Sequence, residues 1–74
     1  MRTLNLQKTA YKLENMIDKN DMTVKQLSKH LGVSQTSVYN WLRADKMPSI
    51  DNLVSMTGIF HCKLDDLIAY QEVA

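Results

Sequence analysis

The stretch Val24-Lys-Gln-Leu-Ser-Lys-His-Leu-Gly-Val-Ser-Gln-Thr-Ser-Val-Tyr-Asn-Trp-Leu-Arg43 decides the fold. Its apolar residues recur at helical spacing on both sides of a glycine: Leu27 and Leu31 before Gly32, Val38 and Trp41 after it. Thr23-Val24-Lys25-Gln26 has the spacing of a capping box, a hydroxyl at the cap and an amide three residues on. Ser34 is a second good N-cap. Gly32 supplies the left-handed backbone that ends a helix at low cost. These marks predict two short helices, one after Thr23 and one after Ser34 running to about Arg43 or Ala44. They should cross steeply through a turn of about three residues. Small Ser28 lets the second helix approach, Val33 plugs the angle, and Leu27, Leu31, Val38 and Trp41 bury the inner faces.

Outside that core the later helix carries Gln35, Thr36, Tyr39, Asn40 and Arg43. These are the groups that reading DNA requires. Gln and Asn amides pair with an adenine edge through two hydrogen bonds, a Thr methyl meets a thymine methyl, and Arg bonds guanine or a phosphate. Trp41, three residues from Val38, reads as a buried anchor and not as a ligand-stacking residue.

Working outward, Leu6, Ala10, Leu13 and Ile17 lie on one helical stripe, predicting a first helix from about Leu6 to Lys19. Asn5 or Thr3 would cap it, and Asn20-Asp21 would end it. Asp45-Lys46-Met47-Pro48 reads as a loop, because proline disfavours helix at the residue before it. Ser49 caps a fourth helix, Ile50 to about Phe60, with Ile50, Leu53, Val54, Met56 or Thr57, and Phe60 inward. Gly58 within it suggests close packing against a neighbour. A short fifth helix is expected from about Leu64 to Tyr70, with Asp65 and Asp66 suiting its dipole, and the last residues are expected to fray. The architecture expected is therefore all-α, a compact five-helix unit over residues 1–74 as a single domain.

The totals restrict function. Seventy-four residues fit one small domain with a modest core. No apolar run approaches a membrane span, and the N-terminal residues lack the apolar centre of a signal peptide. Cys62 is the only cysteine, so no internal disulfide forms, which suits a reducing cytoplasm. His61 and Cys62 lack further ligands at zinc spacing, and Cys62 reads as a small buried hydrophobe. There is no carboxylate pair, no nucleophile with a base and no phosphate-cradling glycine loop, so the expectation is a non-enzyme with no cofactor, metal or small-molecule ligand. The formal net charge is only +1. Residues 1–47 nevertheless hold eight basic against four acidic residues, and residues 48–74 one against four. That imbalance suggests one face turned to phosphates and another turned away.

Taken together these residues resemble the lambda-repressor-like family of phage and bacterial regulators, the Cro or XRE type. The resemblance continues past the helix-turn-helix. Trp41-Leu-Arg-Ala-Asp-Lys-Met-Pro48-Ser49 is similar to the family's W-E-R-G-x-x-x-P-S loop, and Ile50 to Ile68 is similar to its last two helices. The resemblance covers about residues 6–69. It implies that helices 2 and 3 form the helix-turn-helix and that Gln35, Thr36 and Asn40 face base edges. Ser34 and Tyr39 would lie within reach of bases or phosphates. Thr23, Lys25 and Arg43 would hold the DNA backbone, with Lys46 and Asn52 as further candidates. Phosphate contacts fix register while base contacts specify.

Several positions depart from the family pattern. Val24 stands where a phosphate-binding Gln is common. Ile17 and Leu42 replace an Arg–Glu pair, so an apolar contact between them is expected instead of a buried ion pair. Ala44 replaces the loop glycine and is expected to need a different backbone path. Lys63 replaces a Ser cap, which should anchor the last helix weakly. The function expected is a sequence-specific transcriptional regulator, a cytoplasmic repressor that binds double-stranded DNA as a homodimer. Leu64, Ile68 and Tyr70 are the candidate dimer surface. The alternatives are an antitoxin-like or adaptor module that docks protein with the same fold, and a structural subunit that has lost DNA binding.

Overall fold

Each of the four α-helices in the computed structural model, which describes residues 1–73, starts on a polar side chain that closes its own first turn. Asn5 Oδ1 accepts the Lys8 N–H at 2.9 Å and opens α1, Leu6–Lys19. Thr23 opens α2, Val24–Leu31, through a complete capping box. Its Oγ1 accepts the Gln26 N–H at 3.1 Å, and Gln26 Oε1 accepts the Thr23 N–H at 2.9 Å. Ser34 and Ser49 open α3, Gln35–Leu42, and α4, Ile50–Phe60, each accepting an amide at 3.1 Å. Such caps contribute about 1 kcal/mol each. Gly32 ends α2 at φ 69 and His61 ends α4 at φ 54, both left-handed.

The core is one cluster drawn from all four helices: Leu13 and Ile17, Leu27, Val38 and Trp41, then Leu53, Met56 and Phe60, closed by Leu67. Val24 packs against it, which accounts for an apolar residue at that position. Leu42 also packs against the cluster that holds Ile17, so no charge needs burying there. α4 turns inward with Leu53, Met56 and Phe60, while Ile50 and Val54, expected inside, are 65% and 58% exposed. Val54 stands a rotation of about 100° from Leu53 and so leaves the packed stripe. Close packing does not explain Gly58, because a Cβ built there meets nothing within 4 Å. Gly58→Ala should therefore stabilise the fold by up to about 1 kcal/mol, visible as a higher urea midpoint.

The expected fifth helix is absent among the described residues, and the fold has four α-helices and a two-stranded sheet. After a single 3-10 turn, Leu64–Asp66, the chain straightens. A continuing helix would need the Ala69 N–H on the Asp65 carbonyl. Both groups are already taken by α1. Thr9 Oγ1 accepts the Ala69 N–H at 2.9 Å, and Lys12 Nζ donates to the Asp65 and Ile68 carbonyls, both at 2.9 Å. The Asn5 N–H fills the Ala69 carbonyl at 2.8 Å. The Lys63 side chain has no acceptor with which to cap the turn, and Asp66 Oδ2 instead accepts the Lys63 N–H at 2.9 Å.

The last described residues, expected to fray, pair instead with the first. β1, Arg2–Leu4, and β2, Tyr70–Glu72, run antiparallel with Thr3 opposite Gln71. The Val73 N–H extends the ladder to the Met1 carbonyl at 2.7 Å. Arg2 ties the ribbon further, with Nε donating to Glu72 Oε1 at 2.8 Å and its guanidinium 4.8 Å from the Tyr70 ring centre. Of the expected dimer residues, Leu64 and Ile68 are half-buried against the core, and Tyr70 is exposed.

Candidate nucleic-acid interface

The α2–α3 unit is assembled by removing bulk where the helices meet. Ser28 is buried, and its hydroxyl folds back onto its own helix, donating to the Lys25 carbonyl at 2.8 Å. Gly32 turns the chain, and the Val33 N–H then reaches the Ser28 carbonyl at 3.0 Å. Val33 packs on the core, while Leu27, Val38 and Trp41 bury the inner sides. With that side fixed, α3 can present only its other side to solvent.

That side carries the expected readers. At 100° per residue Gln35, Tyr39, Thr36 and Asn40 fall within an arc of roughly 140°. Gln35, Thr36 and Tyr39 are exposed and Asn40 is half-buried. The expected backbone contacts surround the helix starts: Thr23 caps α2, Lys25 lies in its first turn, and Ser34 caps α3. Asn52 sits in the first turn of α4, and Lys46 in the loop before it. Free backbone N–H groups and the positive end of the helix dipole make such starts favourable for phosphate. Thr23, Lys25, Ser34, Arg43 and Lys46 are exposed, and Asn52 is half-buried. The Thr23 and Ser34 hydroxyls already accept amides within their own helices.

The basic excess of the first two thirds divides. Arg2 pairs with Glu72 and Lys12 holds carbonyls at the acidic end, so neither is turned to the α3 face. Lys25, Lys29 and Lys46 are exposed and form no ion pair among the described residues. Lys29 is thus a cation on α2 that the sequence reading passed over.

Arg43 and Asn40 are linked, a relation that their spacing of three on a helix permits. Arg43 Nη2 donates to Asn40 Oδ1 at 2.6 Å, and Arg43 Nε donates to Asp45 Oδ2 at 3.2 Å. The loop that carries Asp45 folds back on α3, its N–H donating to the Asn40 carbonyl at 2.9 Å. Ala44 makes this turn at φ 62. The loop therefore takes the left-handed conformation that favours glycine. An L-residue pays about 1–2 kcal/mol there, and glycine's greater chain entropy cancels part of the relief. Ala44→Gly should gain about 1 kcal/mol and raise Tm by about 4–8 °C at this chain length, measured by circular dichroism.

No group of three or more metal-ligating side chains exists among the described residues. Cys62 is half-buried, and burial pushes its thiol up, with the Asp66 carboxylate adding to the shift. That is the opposite of an activated nucleophile. Among the described residues no helix is long and apolar enough to cross a membrane.

A helix-turn-helix family model matches residues 13–67, well over half of the chain. Among solved structures, the chain is similar to a transcriptional regulator from Listeria innocua. The TM-score is 0.77 and the identity 24%, with 89% of this chain and 63% of that one covered. It is also similar to the restriction-modification controller protein C.AhdI from Aeromonas hydrophila, with TM-score 0.76, 16% identity, and 84% and 94% covered. At these identities the likeness establishes the fold. No curated protein matches the chain in sequence.

Proposed function

The chain belongs to the Cro/C1-type helix-turn-helix family, and from that premise we propose that it is a sequence-specific DNA-binding regulator of transcription. The observation that carries the reading is α3 itself. Val38 and Trp41 bury one side, and Gln35, Thr36, Tyr39 and Asn40 occupy the other. A helix so divided suits the major groove, where base edges offer donors and acceptors to amides and hydroxyls. Thr23, Lys25, Ser34, Lys46 and Asn52 supply the backbone contacts that hold register.

Repression is the simplest output, because it needs only occupancy of DNA that the polymerase must cross. Homodimerisation follows from affinity, since one module this small buries too little surface for tight binding, and two would read half-sites about one DNA turn apart. The exposed Tyr70 of the terminal ribbon, with the half-buried Leu64 and Ile68, is the candidate dimer surface.

Titration of duplex DNA against salt tests the reading. If Lys25 and Lys46 of both protomers neutralise phosphates, affinity should fall about a hundredfold between about 50 and 200 mM salt. A flat salt dependence would sink it. A protein-docking module is the second reading, favoured by the exposed Ile50 and Val54 one turn apart on α4, and that module would show no such slope.

A further inference from the structure

We propose that Asn40 and Arg43 act together as an all-donor pair that selects guanine, with Asp45 as the residue that positions them. This rests on the DNA-reading function proposed above and names the base that part of α3 takes. The argument starts from what a guanidinium can do. It has five N–H donors and no acceptor. The amide atom 2.6 Å from Arg43 Nη2 must therefore be the oxygen of Asn40, as it is. The contact fixes the amide's rotation, so Asn40 keeps its Nδ2 group to donate and turns its acceptor toward a cation.

Asp45 holds the other side of the guanidinium. Its Oδ2 accepts from Arg43 Nε at 3.2 Å. The left-handed Ala44 turn delivers it there, and the Asp45 N–H on the Asn40 carbonyl, 2.9 Å, anchors that turn to the same residue it serves. Arg43 is thus bound along Nε and Nη2. Its Nη1 group and Asn40 Nδ2 are the donors of the pair that keep no partner among the described residues.

A linked pair whose free groups are all donors matches guanine, which offers N7 and O6 as acceptors in the major groove. Adenine offers N7 but places an amino group where guanine has O6. That amino group needs an acceptor and would meet the N–H groups of Arg43 instead. The adenine contact expected from Asn40 as an isolated amide is disfavoured by its neighbour.

The test uses duplexes carrying the site that the intact protein selects from random DNA. The base served by Asn40 is the one whose preference disappears in Asn40→Ala. We expect guanine there, and 7-deazaguanine at that base should weaken binding about tenfold, within the range of one bidentate contact. Asp45→Asn should relax preference at that base alone, leaving the bases read by Gln35 unchanged. Arg43→Ala frees the amide to rotate and should bring adenine level with guanine. Adenine at that base in the wild type, an Asn40→Ala protein with unaltered preferences, or an Asp45→Asn protein that keeps full guanine preference would each overturn the proposal while leaving the regulator reading intact. Selection of no site at all would overturn that reading, and this one with it.

Discussion

Trp41→Ala should leave the domain largely unfolded. Trp41 is 7% exposed and packs where α1, α3 and α4 converge, sharing the wall of a small cleft with Leu13, Met47, Pro48 and Leu53. Truncating a buried tryptophan to alanine costs about 3–5 kcal/mol, through lost transfer energy and the cavity left behind. At about 0.05–0.15 kcal/mol per residue the whole domain holds only some 4–11 kcal/mol, and a chain this short belongs toward the low end. One side chain therefore carries a large fraction of the total. Urea unfolding followed by circular dichroism should show the midpoint collapse. A shift of less than about 1 kcal/mol, the effect of a surface substitution, would mean that Trp41 is not the anchor of the core.

Gln35→Ala should act in the opposite way, with function lost and fold retained. Gln35 is the first residue of α3 and is exposed, so stability should move by no more than about 0.5 kcal/mol. An amide that pairs with a base edge contributes about 1–3 kcal/mol of discrimination, which is roughly 5- to 150-fold in affinity for the chosen site. Binding to unrelated DNA should be unchanged, because that binding is made through phosphate contacts. Fluorescence anisotropy on both duplexes at one salt concentration separates these outcomes. An equal loss on both would place Gln35 on the backbone and not on a base.

The helix-turn-helix was legible because its signals are local. Thr23 with Gln26, Gly32, Ser34 and Ser49 each act within one turn of themselves, and all four do what their sequence context predicts. The C-terminal third was misread where long-range partners decide. Residues 64–70 have helical spacing, but the Ala69 N–H and the Asp65 carbonyl are claimed by Thr9 and Lys12, 60 and 53 positions away. No window of sequence shows that competition. The terminal ribbon escaped for the same reason, since strands of three residues are too short for alternation to register. On α4 the apolar content was read correctly, but Ile50 and Val54 were placed inside when the inner face is Leu53, Met56 and Phe60.

The candidate site divides along the same line. Exposure of Gln35, Thr36 and Tyr39 followed from the burial of Val38 and Trp41 on the opposite side. The engagement of Asn40 with Arg43 did not, because it depends on a loop held by Ala44 in a conformation that alanine seldom adopts. Ala44, which stands where the family pattern has glycine, is held in the left-handed region where a side chain is strained.

The most direct measurement is selection of bound duplexes from a random DNA library at about physiological salt, with Gln35→Ala run in parallel. Enrichment of a two-fold-symmetric sequence, its half-sites about one helical turn apart and its preference weakened in the variant, is the result expected of a dimer reading the major groove with α3. No enrichment, with binding no tighter than the roughly 10–100 μM of non-specific phosphate contacts, would contradict it.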